Sequence, residues 1–340
     1  MTDSPTPWLD AHLDLAYMAL DRDSARPSLK EEGDPSAMAI TLPSLARGNV
    51  RCCLATIFTA AFEPEDPCGY TDHEDRAGAH QAGRRQVELY EAWEHQGLVR
   101  ILRTHHELES CLEQENGPLG IVLLMECADP IRSPAEVAWW AERGVRMVGL
   151  SWAHGSRYSG GNHRGGGLTD EGRELVAALD EAGIAHDVSH LSDESMEDLL
   201  ALAQGPIASS HSNARRLLPE GRGAMRHLHE DHAREIARRG GVAGVNLYGK
   251  FLARDRSATL EDVVEHANVL AEAFGRDRVG LGSDADGGFT PAELPEKLKQ
   301  PVDYHRMTDA LADSGWTPKE LRGFSSTAWR AFLAKVPSMA

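Results

Sequence analysis

Short apolar runs and longer amphipathic segments alternate along the whole chain. Runs of strand length lie at 8–14 (WLDAHLD), 50–59, 98–103, 119–126, 145–152, 183–190, 206–212, 241–248 and 278–284. The segments between them repeat with helical period. TDEGRELVAALDEAG, 169–183, opens on a threonine suited to cap a helix and closes on Gly183; TLEDVVEHANVLAEAFG, 259–275, is punctuated the same way. Near-continuously apolar strands separated by helices predict an α/β protein with a parallel sheet buried on both faces. A closed (β/α)8 barrel, a TIM barrel, needs eight strands, so one candidate is surplus; 98–103, which carries Arg100 and Arg103, is the one expected outside. An open doubly wound sheet is the structural alternative. No linker rich in Pro, Gly or Ser divides the chain, so 1–340 reads as one domain. The polar segment 15–49 reads as a cover. Residues 290–340 read as a helical extension packed on the barrel and reaching the site mouth.

The polar exceptions to this pattern fall at strand ends. His12 and Asp14 end the first run, Glu126 the fourth, His190 the sixth, His211 the seventh and Asp284 the ninth. Alternation along a strand puts His12 and Asp14 on one face. A barrel gathers its strand ends at one mouth, which is where barrel enzymes keep their chemistry. Imidazoles and carboxylates converging there suit two cations such as zinc, with positions left open for water. SDADGG at 283–288 lacks the glutamate of a calcium loop, since Pro295 stands at its twelfth position. HHELES and HEDHAR lack the second histidine of a zincin helix, and His227, His229 and His232 read as a solvated helix start. The glycines of YSGGNHRGGGL lack a phosphate-loop ending and read as a mobile loop at the site.

Composition narrows the setting. A formal charge of −18 argues against nucleic acid and anionic membranes as partners. No apolar run is long enough to span a bilayer, and MTDSPTPW has no signal-peptide pattern. Five scattered cysteines then read as reduced thiols in a cytoplasmic protein.

Taken in order, DAHLDL, LLMEC, GVRMVGLSWAHGSRYSGGN, DVSHLSDES, PIASSHSNARRL, RGGVAGVNLY and VGLGSDADGG resemble the membrane dipeptidase (renal dipeptidase) family of metallopeptidases, from about residue 8 to 290. The resemblance implies a (β/α)8 barrel of the amidohydrolase type holding two zinc ions per chain. His12 and Asp14 would then bind one ion and His190 and His211 the other, with Glu126 bridging. A water between the ions would be brought towards hydroxide. Asp284 would handle the proton, and Arg222 would grip the substrate's C-terminal carboxylate. The family's histidine at the end of the fourth barrel strand is Trp152 here, and His154, two residues on, is the candidate to replace it. Cys127 stands where the family has glycine, which would crowd the site. The implied substrate is a small dipeptide, L,D-dipeptides included, and homodimers are common in the family. A hydrolase of N-acyl amino acids or another small amide or ester, and a non-catalytic small-molecule binder on the same scaffold, are the rival readings.

Overall fold

The computed structural model describes residues 6–20, 28–114, 116–218 and 223–340. Eight parallel strands form the barrel: β1 Trp8–Leu13, β2 Val50–Ile57, β3 Leu119–Met125, β4 Val145–Gly149, β5 Ala185–Asp187, β6 Ile207–Ala208, β7 Ala243–Val245 and β8 Val279–Leu281. They pair in chain order from β1 to β6, and β1 also pairs β8, which pairs β7. A parallel bridge between Ser209 and Ala243 closes the ring between β6 and β7. The surplus strand, Val99–Ile101, pairs with β3 outside the ring.

Local signals act where the sequence puts them. The Thr169 hydroxyl accepts from the Gly172 amide to start helix Asp170–Glu181, and Gly183 takes φ 67° just beyond its end. Helix Leu260–Phe274 begins on Thr259 and stops at Gly275, φ 78°.

Inside the barrel, Leu9, Ala11, Cys52, Leu54, Val122, Leu124, Met147 and Ala208 form one apolar cluster. Trp329, Phe332 and Leu333 of helix Ala328–Leu333 join it from below. The Trp329 indole donates to the Leu281 carbonyl (3.0 Å) and fills the space that a side chain on Gly280 would need. The last C-terminal α-helix, Ala328–Leu333, thus floors the barrel instead of reaching its mouth, although Glu293 approaches the mouth by accepting from the Tyr248 hydroxyl (3.4 Å). The glycine-rich loop is an antiparallel hairpin, Ser159–Gly161 against Gly165–Leu168. Of the segment 15–49, helices Leu15–Leu20 and Leu42–Arg47 are described, while 21–27 lie outside the described residues. No helix among the described residues is long and apolar enough to cross a membrane.

Candidate active site

The first strand does not simply alternate. Asp10 pairs with Cys53 and Leu13 with Ala55, so three steps on β1 oppose two on β2. This bulge carries the extra residue that lets Ala11 join the interior cluster while His12 also faces the polar site. A bulge strips an amide of its ladder partner, and here the Asp10 carboxylate accepts it, His12 N to Oδ1 at 3.3 Å. The same oxygen accepts from Ser283 N (2.7 Å), tying β1 to the end of β8.

The strand ends converge on Glu126. Its Oε1 lies 3.0 Å from His190 Nε2, 3.4 Å from His211 Nε2 and 3.5 Å from His12 Nε2. Asp14 Oδ1 stands 3.8 Å from His12 Nε2 and accepts a hydrogen bond from the Thr56 hydroxyl. His12 and His211 stack at 3.5 Å between ring centroids. Ligand atoms of His12, Glu126 and His211 lie within 4.8 Å of one another, as do those of His12, Asp14 and Asp284. All six residues are buried or nearly so. His190 and Asp284 hold φ of 68° and 55°, a region uncommon outside glycine, so the turns leaving their strands are strained to aim them.

The donor set fits divalent metal. Burial and the charge of Asp14 push Asp284 up to about 8, burial pushes Asp14 up to about 6, and Glu126 is raised well above the usual range by burial and its carboxylate neighbours. Burial, with the charge of Arg226, keeps His12, His190 and His211 neutral, the form that binds metal. Carboxylates this crowded stay raised even beside Arg226, so further positive charge would favour their ionised form, and neutral imidazoles supply lone pairs without adding charge. His12 Nε2 is buried with no hydrogen-bond partner among the described residues.

A second layer, missed in the sequence, orients these groups. Ser210 Oγ lies 2.7 Å from His211 Nδ1 and 3.4 Å from His12 Nδ1, and donates to Asp187 Oδ2 (2.5 Å). Asp286 Oδ1 accepts the Asp14 amide (2.9 Å), and Asn246 Nδ2 donates to Asp284 Oδ2 (2.8 Å). Such partners fix which imidazole nitrogen faces a metal. Their signal was present: Asp187 in AHDVSH and the serines of IASSHS are polar residues inside otherwise apolar strands.

Arg222 lies outside the described residues. Among the described residues, the guanidinium beside the cluster is that of Arg226, buried with Nη2 3.1 Å from His190 Nε2 and 3.0 Å from the His211 carbonyl, and Nη1 3.1 Å from Ser212 Oγ. Its Nε has no partner among the described residues. Beside it, His227 is buried and accepts from Asn213 N (3.2 Å), contrary to a solvated helix start; His229 does cap helix Glu230–Arg238.

Trp152 lines the cavity, 6.0 Å from the His190 ring. β4 stops at Gly149 and the Gly155 amide turns back to the Trp152 carbonyl, so His154 does not continue the strand. It packs on Trp152 and on His163 of the hairpin instead. Cys127 points away from the cluster, its Sγ 3.9 Å from the Tyr70 hydroxyl, and burial pushes its thiol up to about 12. Above Glu126, His190, His211 and Asp284 opens a cavity of about 330 Å³.

The sequence pattern of one family, described as membrane dipeptidase (peptidase family M19), matches residues 3–332. A curated relative, an uncharacterized protein in the pqqA 5' region of Klebsiella pneumoniae, is 29% identical over 250 residues, which is 70% of this chain and 88% of the relative. A metallo peptidase from Rhodobacter sphaeroides, solved with a phosphinate mimic of the dipeptide L-Ala-D-Ala, superimposes with a TM-score of 0.85 at 23% identity, covering 98% of this chain and 100% of that one. The probable dipeptidase PvdM from Pseudomonas aeruginosa superimposes at 0.83 with 18% identity, covering 99% and 96%. These structures share the barrel.

Proposed function

The chain belongs to the membrane dipeptidase family, peptidase family M19, and is a metallo-dipeptidase; we propose that it uses two zinc ions to hydrolyse small dipeptides, L,D-dipeptides included. The observation that carries this reading is the meeting of three imidazoles on one oxygen of Glu126, 3.0–3.5 Å away, at the floor of a cavity of dipeptide size. In this reading His12 and Asp14 would hold one ion and His190 and His211 the other, with Glu126 contributing to both sets. Zinc bound to such a set supplies Lewis acidity and lowers the pKa of water towards neutrality.

The protein's own groups do the rest. Asp284 keeps Oδ2 on the Asn246 amide, which leaves Oδ1 to take a proton from water and return it to the departing amine. Arg226, its guanidinium 5.5 Å from the ring centroid of the cavity-lining Phe251, supplies the positive charge that attracts the C-terminal carboxylate. Trp152 closes one side of the cavity, at the position where the resemblance implies a histidine. The L-Ala-D-Ala mimic held by the Rhodobacter sphaeroides protein supports including L,D-dipeptides among the substrates.

Metal content measured together with turnover of an L,L and L,D dipeptide panel tests the reading, with Asp284→Asn alongside. About two zinc per chain with turnover that collapses in the variant is expected. Two metals with hydrolysis of N-acyl amino acids but no dipeptide would move the reaction to another small amide, and absence of metal binding would sink it.

A further inference from the structure

The cavity above the ligand cluster has two aromatic walls. Tyr17, Phe58 and Trp152 form one, packed edge to face with ring centroids 5.2 Å apart at each contact. Tyr248, Phe251 and Phe289 form the other, at 4.8 and 4.4 Å. Arg226 stands behind the second, its guanidinium 5.5 Å from the Phe251 ring centroid. A substrate whose carboxylate sits on Arg226 therefore turns its C-terminal residue to the Phe251 wall and its N-terminal residue to the Phe58 wall.

At the rim of the Phe58 wall, five residues beyond Phe58, stands Glu63. It is the one carboxylate lining this cavity, among the described residues, that neither the ligand set nor the proton transfer uses. Among the described residues its carboxylate has no hydrogen bond or ion pair, while its main chain is fixed by Tyr70 and Asp66. Arg164 stands nearby but lies over the Phe62 ring, 4.6 Å from its centroid. Burial and the neighbouring charge of Asp66 both raise the Glu63 carboxyl, so a cation placed there would relieve two like charges.

We propose that Glu63 selects dipeptides whose N-terminal residue carries a long cationic side chain, lysine or arginine. This rests on the dipeptidase reading. The α-ammonium of a bound dipeptide is two bonds from the scissile carbonyl carbon and stays near the buried Asp14 and Asp284. Glu63 is exposed at the rim, at the reach of a side chain. An aliphatic stem lies along aromatic rings while its charged head reaches a carboxylate, and the ring faces themselves attract the cation.

The test compares Lys-Leu, its Nε-acetyl form and Glu-Leu on the zinc-loaded protein, by kcat/KM and by equilibrium binding. Lys-Leu should exceed Nε-acetyl-Lys-Leu about fivefold, the size of a single partly solvated ion pair. Glu63→Gln should bring that ratio close to one. Glu63→Lys should reverse the order and favour Glu-Leu, a gain that loss of folding would not produce. A ratio near one in the wild type, or one that both variants leave unchanged, overturns the proposal; so does an equal loss on all three peptides, which would put Glu63 on the α-ammonium. Should no dipeptide turn over, the dipeptidase reading falls, while a Lys-Leu binding preference that Glu63→Gln abolishes still supports the subsite.

Discussion

Asp10 accepts the main-chain hydrogen of His12 from within the same strand, across the extra residue that turns His12 into the barrel. Removing the acceptor leaves two buried amides, of His12 and Ser283, without it. Asp10→Ala should lower stability by about 3 kcal/mol in urea titrations and weaken zinc binding tenfold or more. Asp10→Asn keeps one oxygen and should recover most of both. Unchanged zinc affinity in Asp10→Ala would show that the bulge does not orient His12.

Asp284→Asn should retain its zinc and lose 10²- to 10⁴-fold in kcat, the usual weight of one positioned acid–base group. Metal analysis and steady-state kinetics on the same preparation separate the two effects. Loss of metal in proportion to activity would make Asp284 a ligand instead.

Arg226 should act through the substrate's carboxylate. Arg226→Ala is expected to lower kcat/KM for a free dipeptide by about 3 kcal/mol, and for the C-terminal amide of the same peptide by much less. Arg226→Lys should fall between, because an ammonium lacks the bidentate fork. Equal losses on acid and amide would remove Arg226 from carboxylate recognition.

His266 gives a pH signature away from the metal cluster. Its Nδ1 accepts from Ala214 N (3.1 Å) and its Nε2 faces the Leu252 carbonyl (3.3 Å), so the fold needs the neutral ring. Burial lowers its pKa from 6.5 to about 4. The unfolded chain thus binds the proton first as pH falls, and this stabilisation is full above 6.5 and lost progressively between 6.5 and about 4. The loss amounts to about 3 kcal/mol at most. Denaturation across that window should show a flatter slope in His266→Asn, which keeps an acceptor near Nδ1; an identical slope would refute this account.

The barrel was legible because each strand is a compact apolar run with a helix behind it, and the candidate ligands stood out because charge in such a run is expensive. His12 and Asp14 were found by strict alternation, yet it is a bulge that brings His12 into the site, and a two-against-three register cannot be read from one strand alone. Arg226 was missed because the loop after β6 is unconstrained by the barrel, so a count of residues from His211 does not locate the guanidinium that folds back. His154 failed for the opposite reason: alternation was extended past Gly149, where the strand had already ended.

Gly280 and Trp329 yield a prediction about the floor. A Cβ on Gly280 would lie 2.6 Å from Trp329 Nε1, so Gly280→Ala should cost about 1–3 kcal/mol by forcing the indole out. Indole fluorescence read beside the stability would report the displacement; a neutral variant would mean the floor can yield.

That floor also sets an order of events during synthesis. Trp329 leaves the ribosome 48 residues after Leu281, its carbonyl partner in the eighth strand. A nascent chain can therefore emerge with every strand made and the underside of the ring still open, its apolar lining wet. Folding that proceeds from the N-terminus must wait for the late helix, and in that interval the half-built barrel leaves apolar surface open to water.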